Sequence, residues 1–198
     1  MCISRIAEEI FPFGHYWMRS RRVRKRAESE AILDEAAFAG YAALSVEQLD
    51  TRLAEERARA SALDEKTFKL TLALTAGLTV TGSVAALLVR SLEAAAAQLA
   101  VGGLIGLALF YVLSAGFVAI GALRTLPSHG YGTRFLLQRQ GEPGPRLSEA
   151  LARQETMNTV RHLRNETAYQ ALRNGLVVLF AALLLFAGIA VEQAVCAL

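Results

Sequence analysis

The chain has few of the residues that build catalytic or metal centres. Among its 198 residues are only three histidines, His15, His129 and His162, which are scattered without the spacing of metal ligands. Its two cysteines, Cys2 and Cys196, indicate neither a disulfide framework nor a metal site. A serine nucleophile elbow has no support, because the sequence contains no G-x-S-x-G motif. We therefore expect no catalytic residue, no metal and no cofactor, and a protein that is not an enzyme.

Charge is missing from three long stretches. Leu70–Val89 has twenty residues without a charged side chain, or about 30 Å of helix, which is the thickness of a hydrocarbon core. The second stretch, Ala94–Leu123, has thirty uncharged residues, and its most apolar part is Leu99–Gly121. The third, Asn174–Val191, has eighteen uncharged residues. The composition is 54% hydrophobic, which agrees with a membrane protein. The sequence predicts an all-α integral membrane protein with three transmembrane helices; the alternative is that one stretch is a buried core helix.

The basic residues predict the orientation. Residues 1–69 hold 12 of the 21 Lys and Arg, and the segment from Arg124 to Arg173 holds eight, whereas only Arg90 lies between the first two stretches. Positive residues concentrate on the cytoplasmic side, so we expect the N-terminus in the cytoplasm and the C-terminus outside. The absence of acidic residues from the stretches disfavours a proton-coupled transporter. A cleavable signal peptide is not expected, because residues 1–18 lack its apolar core.

Four parts follow from these boundaries. Residues 1–69 are N-terminal cytoplasmic helices, 70–123 a transmembrane hairpin, 124–175 a cytoplasmic loop and polar helix, and 176–198 a third transmembrane helix with a short outer tail.

Local patterns predict where the cytoplasmic helices begin. Helical periodicity predicts one helix over Glu28–Ala43. Ser45 and Gln48 form a capping-box pattern for the next, which should run unbroken into the first span. Gln140–Arg146 reads as a loop, after which Ser148 should cap a long helix that starts at Glu149 and enters the third span.

Aromatic residues stand directly before a basic cluster near the N-terminus. Rings at headgroup level and cations on anionic lipid are typical of the membrane interface. The alternative is a topogenic signal on a helix packed against its neighbours. Nucleic acid is not an expected partner, because the run is short and close to the membrane. The residues predicted to face lipid are Arg21, Arg22, Arg24, Lys25 and Arg26.

A glycine-containing loop follows the second apolar stretch. Exposed amides beside Arg favour anions, so the loop could cradle a phosphate, although its spacing fits neither a Walker loop nor a dinucleotide fingerprint. The alternative is a tight exit from the second span. The candidate ligand residues are His129, Gly130, Tyr131, Gly132 and Arg134.

The long polar helix carries an unusual set of Asn and Arg. Asn158, Arg161 and Asn165 should share one face, where buried amides often determine helix register or oligomeric state. The triplet Leu-Arg-Asn occurs twice, nine residues apart, so its copies should face different neighbours. The remaining members of this set are Arg164, Arg173 and Asn174. The set is a candidate polar sensor near the membrane; the alternative is that it only forms hydrogen bonds between helices.

Three threonines form a stripe along the first apolar stretch. Thr71, Thr75 and Thr79 stand four residues apart and would line a polar path once protomers assemble. Tight helix packing is the alternative, as for Gly102 and Gly106. Three helices cannot enclose a wide pore, so a channel requires a homo-oligomer, a tetramer or larger.

Long cytoplasmic helices thus run into closely spaced spans, and RQETMNTVRHLRNETAYQALRNG leads into another apolar helix. Over residues 45–190 this arrangement resembles the small bacterial membrane effectors of antiphage defence, of SLATT, Pycsar-like or CBASS-like type. The third span departs from the commonest two-span members, so no binding residues are transferred. The resemblance implies an oligomer in the bacterial inner membrane that permeabilises or depolarises it when a nucleotide signal or regulatory protein activates it. The alternative is a membrane anchor or accessory subunit for a cytoplasmic partner.

Overall fold

The computed structural model describes residues 9–28, 40–41, 43–123 and 129–196. Five helices are bounded there, and these ranges contain no strand, so the all-helical prediction is confirmed. The predicted helix over Glu28–Ala43 falls mostly outside the described residues. The helices are α1 (Pro12–Glu28), α2 (Val46–Arg90), α3 (Ala95–Leu123), α4 (Thr133–Arg139) and α5 (Pro143–Cys196).

Helix α2 begins at the predicted capping box. The Ser45 N–H donates to Gln48 Oε1 at 2.9 Å, and the Gln48 N–H donates to Ser45 Oγ at 3.2 Å. Two amides that have no partner within the helix are thereby satisfied. The helix then continues for 45 residues without a break, which confirms that it runs from the polar segment into the apolar one.

Helix α5 begins at Pro143, not at Glu149. The predicted loop over Gln140–Arg146 is therefore correct for residues 140–142 and wrong for 143–146, and the prediction of Ser148 as the cap was wrong. Two prolines, Pro143 and Pro145, stand in the first turn, where a missing N–H costs no intrahelical hydrogen bond. Ser148 is buried inside the helix, and its hydroxyl donates to the Gly144 carbonyl at 2.9 Å. The helix extends without a break to Cys196, as its predicted entry into the apolar segment required.

The chain divides into two compact units. The polar unit comprises Phe13–Phe68 and Gly121–Asn165, and the apolar unit comprises Met1–Pro12, Lys69–Ile120 and Glu166–Leu198.

A small leucine core holds the polar unit together. Leu49 and Leu53, one turn apart on α2, pack with Leu147, Ala150 and Leu151 of α5, and all five are buried. Residues four apart lie on one helix face, so this core aligns α2 and α5. The residue numbers of the contacting pairs increase together along α2 and α5, so the two helices run parallel in this unit.

The apolar unit packs α3 between segments of α2 and α5. Ala85 of α2, Val101 and Ile105 of α3 and Ala182 of α5 are buried in one cluster. Gly175 of α5 lies so close to α3 that an added Cβ would be 2.9 Å from Val112 Cγ2 and 3.1 Å from the Ala108 carbonyl oxygen. Small residues permit such close approach of helices in membranes.

Two helices in the described part of the chain are long and apolar enough to cross a membrane, at Ala95–Ile120 and within Pro143–Cys196. The count of three predicted spans is therefore not confirmed. The predicted first span, Leu70–Val89, lies in α2, where several side chains are outside the described set. That span stays a prediction.

Replacing Gly175 should loosen the apolar unit. We expect Gly175→Leu to lower the free energy of unfolding by about 1–3 kcal/mol, the usual effect of overpacking, because its side chain has no space against α3. Gly188→Leu is the matched control on the same helix, since a Cβ there meets nothing within 4 Å. Thermal unfolding of the full chain in mild detergent measures both, and equal melting temperatures would contradict the close approach.

Candidate functional site

A set of polar contacts, which we name the polar ladder, joins α2 to α5 within the polar unit. Asn158 Nδ2 donates to the Glu56 carbonyl oxygen at 2.7 Å and to Glu56 Oε2 at 2.6 Å. Two turns further along both helices, Asn165 Nδ2 donates to the Leu63 carbonyl oxygen at 3.2 Å, and the Thr67 hydroxyl donates to Asn165 Oδ1. These contacts confirm that Asn158 and Asn165 share the packing face of α5.

Arg161 places a charge in the middle of the ladder. Its side chain is only 4% exposed, and its Nε lies 3.2 Å from Asp64 Oδ1. Its Nη1 also donates to Asn158 Oδ1 at 3.0 Å. A buried charge is costly unless it is paired, so Asp64 and Asn158 stabilise the guanidinium between the helices. Asn158 and Arg161 are therefore bonded to each other, and all three residues of the predicted face contact α2.

The other three predicted polar residues face elsewhere. Arg164 is buried, and its Nε donates to the Tyr16 hydroxyl of α1 at 2.8 Å within the polar unit. In the apolar unit, Arg173 lies 3.3 Å from Glu9 Oε2, and Asn174 Nδ2 donates to the Glu9 carbonyl oxygen at 2.5 Å. The two Leu-Arg-Asn copies thus have different neighbours, as the nine-residue spacing predicted.

The loop before α4 has unusual backbone at two glycines. Gly130 has φ +75° and Gly132 has φ +91°, in the region that side chains disfavour. Arg57 of α2 donates to the Gly130 carbonyl oxygen. The His129 N–H donates to Gln154 Oε1 at 3.0 Å, and Gln154 Nε2 donates to Asn158 Oδ1 at 3.2 Å. Gln154 therefore connects the loop to the polar ladder.

A cavity of about 190 Å³, the His129 cavity, opens beside this loop. Glu149 forms ion pairs with two arginines there. Its Oε1 lies 2.8 Å from Arg153 Nη2, and its Oε2 lies 3.5 Å from Arg146 Nη1. The Arg153 Nε is buried and has no hydrogen-bond partner among the described residues. Burial, and then the neighbouring Arg153, lowers the pKa of the His129 imidazole. The lining residues are His129, Gly130, Phe135, Arg146, Glu149, Ala150 and Arg153.

Only two of the five predicted ligand residues line this cavity. His129 and Gly130 do, whereas Tyr131 and Arg134 are exposed and Gly132 precedes α4 without lining it. The Tyr131 ring lies 5.8 Å from the Arg57 guanidinium. Sequence reasoning missed Arg146 and Arg153 because their i,i+7 spacing on one face of α5 is visible only once the helix is known to begin at Pro143.

The basic cluster lies on α1. Arg21, Arg22 and Lys25 are exposed, and the Arg21 guanidinium stacks 4.4 Å from the ring centre of Trp17, itself exposed. The side chains of Arg24 and Arg26 are outside the described set. Lipid contact by this cluster stays a prediction.

The threonine stripe is only partly described. Thr71 is half-buried, whereas the side chains of Thr75 and Thr79 are outside the described set, although their backbone is helical. Its role in a polar path stays a prediction.

Apolar side chains cover the outside of the apolar unit. Each of α3 and α5 contains an 18-residue apolar window. Only 33% of that window is buried in α3, and only 11% is buried in α5. Phe110 and Phe117 of α3 and Phe180 and Leu184 of α5 are among the large exposed side chains. Exposed apolar surface costs about 25 cal/mol per Å² in water, and soluble monomers rarely expose large contiguous patches of it. The arrangement therefore favours apolar surroundings.

Comparison with known proteins does not assign the chain: no protein family, no curated protein and no solved structure matches it. Within the described ranges, no three His, Cys, Asp or Glu side chains come together in a way that could hold a metal ion. The functional argument therefore rests on the polar ladder, the His129 cavity and the exposed apolar surface.

Removing the central amide should weaken the polar unit. We expect Asn158→Ala to lower the free energy of unfolding by about 1–3 kcal/mol, because it leaves buried partners unsatisfied. Asn158 is 2% exposed and contacts Glu56, Gln154 and Arg161. Thr159→Ala, an exposed change at the next position, should have little effect. Thermal unfolding of the full chain compares them, and equal stability of the two variants would contradict a structural role for the ladder.

The fold should lose stability in mild acid through His129. Because the folded state lowers its pKa below the ordinary value of 6.5, the unfolded chain binds the proton more readily. The stability is present above pH 6.5 and is lost as the pH falls from there through the folded pKa. His129→Gln should reduce this pH dependence, and His162→Gln, which removes an exposed ring, is the matched control. Melting temperatures between pH 5 and 8 measure it; an unchanged slope in His129→Gln would refute the assignment.

Proposed function

We propose that the chain is an oligomeric effector of the bacterial inner membrane that permeabilises or depolarises this membrane when a nucleotide signal or a cognate regulatory protein activates it. The observation that carries the proposal is the exposed apolar surface of α3 and α5, where only 33% and 11% of the most apolar windows are buried. A core helix of a soluble protein has the opposite distribution, with its apolar residues covered.

Three spans are proposed for the membrane. Besides α3 and α5, the uncharged segment Leu70–Val89 of α2 is about one hydrocarbon core in length, and its Leu72 and Leu87 are exposed. In the apolar unit α3 follows α2 through the short connection Ser91–Ala94. With 20 of the 21 basic residues before the first span or between the second and third, the N-terminus lies in the cytoplasm and the C-terminus outside.

Oligomerisation is supported by small residues on α3 that leave open space beside them among the described residues. A Cβ at Gly103 or Gly106 would meet nothing within 4 Å, and one at Gly102 meets only Val89, at 3.8 Å. Small residues at such positions allow helices of neighbouring copies to approach closely in a membrane. In a tetramer or larger ring, Thr71, Thr75 and Thr79 would line the permeation path.

The polar unit is proposed to receive the trigger. It holds a buried charged network between α2 and α5, and both helices run without a break from that network into the apolar segments. An element with two arrangements can couple a signal to a distant response when the signal binds the two differently, and we propose that this network is such an element.

A pair of leucine variants tests membrane insertion. Leu184 of α5 is 60% exposed and Leu137 of α4 is 62% exposed, so Arg at either position is tolerated by a water-soluble protein. In a bilayer, Arg near the middle of a span costs about 2.5–3.5 kcal/mol, and we expect Leu184→Arg alone to reduce membrane insertion strongly. Alkaline extraction of membranes, followed by quantification of the pellet, measures it. Equal recovery of the two variants from the soluble fraction would refute a transmembrane α5.

Reconstitution tests the effector activity itself. We expect the full chain to be a tetramer or larger in mild detergent and to release ions from liposomes once activated, and expression to depolarise cells. A monomeric state would contradict a pore. A stable stoichiometric partner without ion flux would assign the chain to the alternative class, a membrane anchor.

A further inference from the structure

We propose that the His129 cavity binds a phosphate group, with Arg146 and Arg153 as its cationic ligands and Glu149 as the internal anion that the phosphate displaces. The inference rests on the proposed function only for its consequence, that this binding is part of the trigger.

The two arginines supply the chemistry. Guanidinium groups bind phosphate through paired, charge-assisted hydrogen bonds, and both arginines line one cavity. Glu149 satisfies them only in part: it contacts Arg153 at 2.8 Å and Arg146 at 3.5 Å, while the buried Arg153 Nε has no hydrogen-bond partner among the described residues. A buried donor without a partner is unfavourable, and a phosphate has more acceptor oxygens than a carboxylate.

The loop wall of the cavity lies close to two positive charges. Burial and the positive charges of Arg153 and Arg161 lower the pKa of His129, with only Glu149 opposing them. The positive φ of Gly130 places its backbone against Leu53 and Arg57, where a Cβ would lie 2.8 Å from Leu53 Cδ2. The wall is thus held in place by contacts outside the cavity.

The cavity has room for a phosphate group. Its volume of about 190 Å³ is many times the roughly 10–15 Å³ that the same kind of measure gives for one water molecule. Phe135 forms the aromatic side of the cavity. A nucleotide, inorganic phosphate and a phospholipid headgroup all carry the required group, and the experiment must distinguish them.

Bonds from the cavity reach the polar ladder. The His129 amide donates to Gln154, which donates to Asn158, so a change in the Arg153–Glu149 pair occurs one helical turn from a ladder contact. Displacement of Glu149 therefore gives the ligand a physical means of favouring one arrangement of α2 and α5 over another.

Calorimetric titration of the full chain in detergent tests the site with three probes: inorganic phosphate, adenosine monophosphate and short-chain phosphatidylglycerol, each against chloride at equal ionic strength. We expect saturable binding of at least one probe, and the preferred probe identifies the source. Arg153→Gln should weaken binding at least about tenfold. If the Arg153→Gln variant does not fold, Arg146→Gln is tested in its place, with the same expected result. Glu149→Gln should tighten binding about threefold or more, since it removes the competing anion.

Arg52→Gln is the matched control, because it removes an arginine from an exposed Arg–Glu pair, with Glu55 at 3.0 Å. Its affinity should stay within about twofold of the original chain. The inference is overturned if no probe binds, if Arg52→Gln weakens binding as much as Arg153→Gln, or if Glu149→Gln fails to tighten it. Ion release without phosphate binding would overturn this site alone, whereas phosphate binding by a chain that does not insert into membranes would overturn the proposed function alone.

Discussion

The buried amide of Asn158 is the contact on which the polar unit depends. Its nitrogen donates twice to Glu56, and its oxygen accepts from Arg161 and Gln154, so its hydrogen-bonding capacity is used in full. A shift of α5 by one residue along α2 would break both bonds to Glu56, which are the ones that join the two helices. The leucine core before it requires the same alignment, but apolar contacts tolerate sliding better than directional hydrogen bonds do. The amide therefore specifies the register of the two helices.

The two units bury different kinds of side chain. The polar unit buries Arg161 and Asn158 between its helices, which requires a partner for every charge and amide. The apolar unit leaves Phe117 and Phe180 exposed and places small residues such as Gly175 where its helices touch. Both patterns occur along the same two helices, α2 and α5. This change of character within a helix is expected where the surroundings change from water to hydrocarbon.

The loop at His129 brings the proposed trigger site and the ladder into one network. Gln154 uses both ends of its amide, accepting from His129 and donating to Asn158. Arg57 holds the same loop from α2 through the Gly130 carbonyl. A ligand that rearranges the arginine pairs around Glu149 would thus act on groups that are bonded to both helices. In this proposal the binding site and the contacts that align the helices are joined by adjacent hydrogen bonds, without a long pathway.

Local patterns in the sequence by themselves determined the helical class, the cap at Ser45 and Gln48, the continuity of α2 and the common face of Asn158, Arg161 and Asn165. Each depends on residues within a few turns of one another, where capping chemistry and the helical period decide. Tertiary structure alone decided the rest. The Asn158–Glu56 contact joins residues 102 positions apart, and the partners of Arg57, Arg153 and Arg173 follow from packing. The predicted start of α5 was wrong because a prolyl first turn and a serine cap are both locally acceptable, and only the structure shows that Ser148 is buried within the helix.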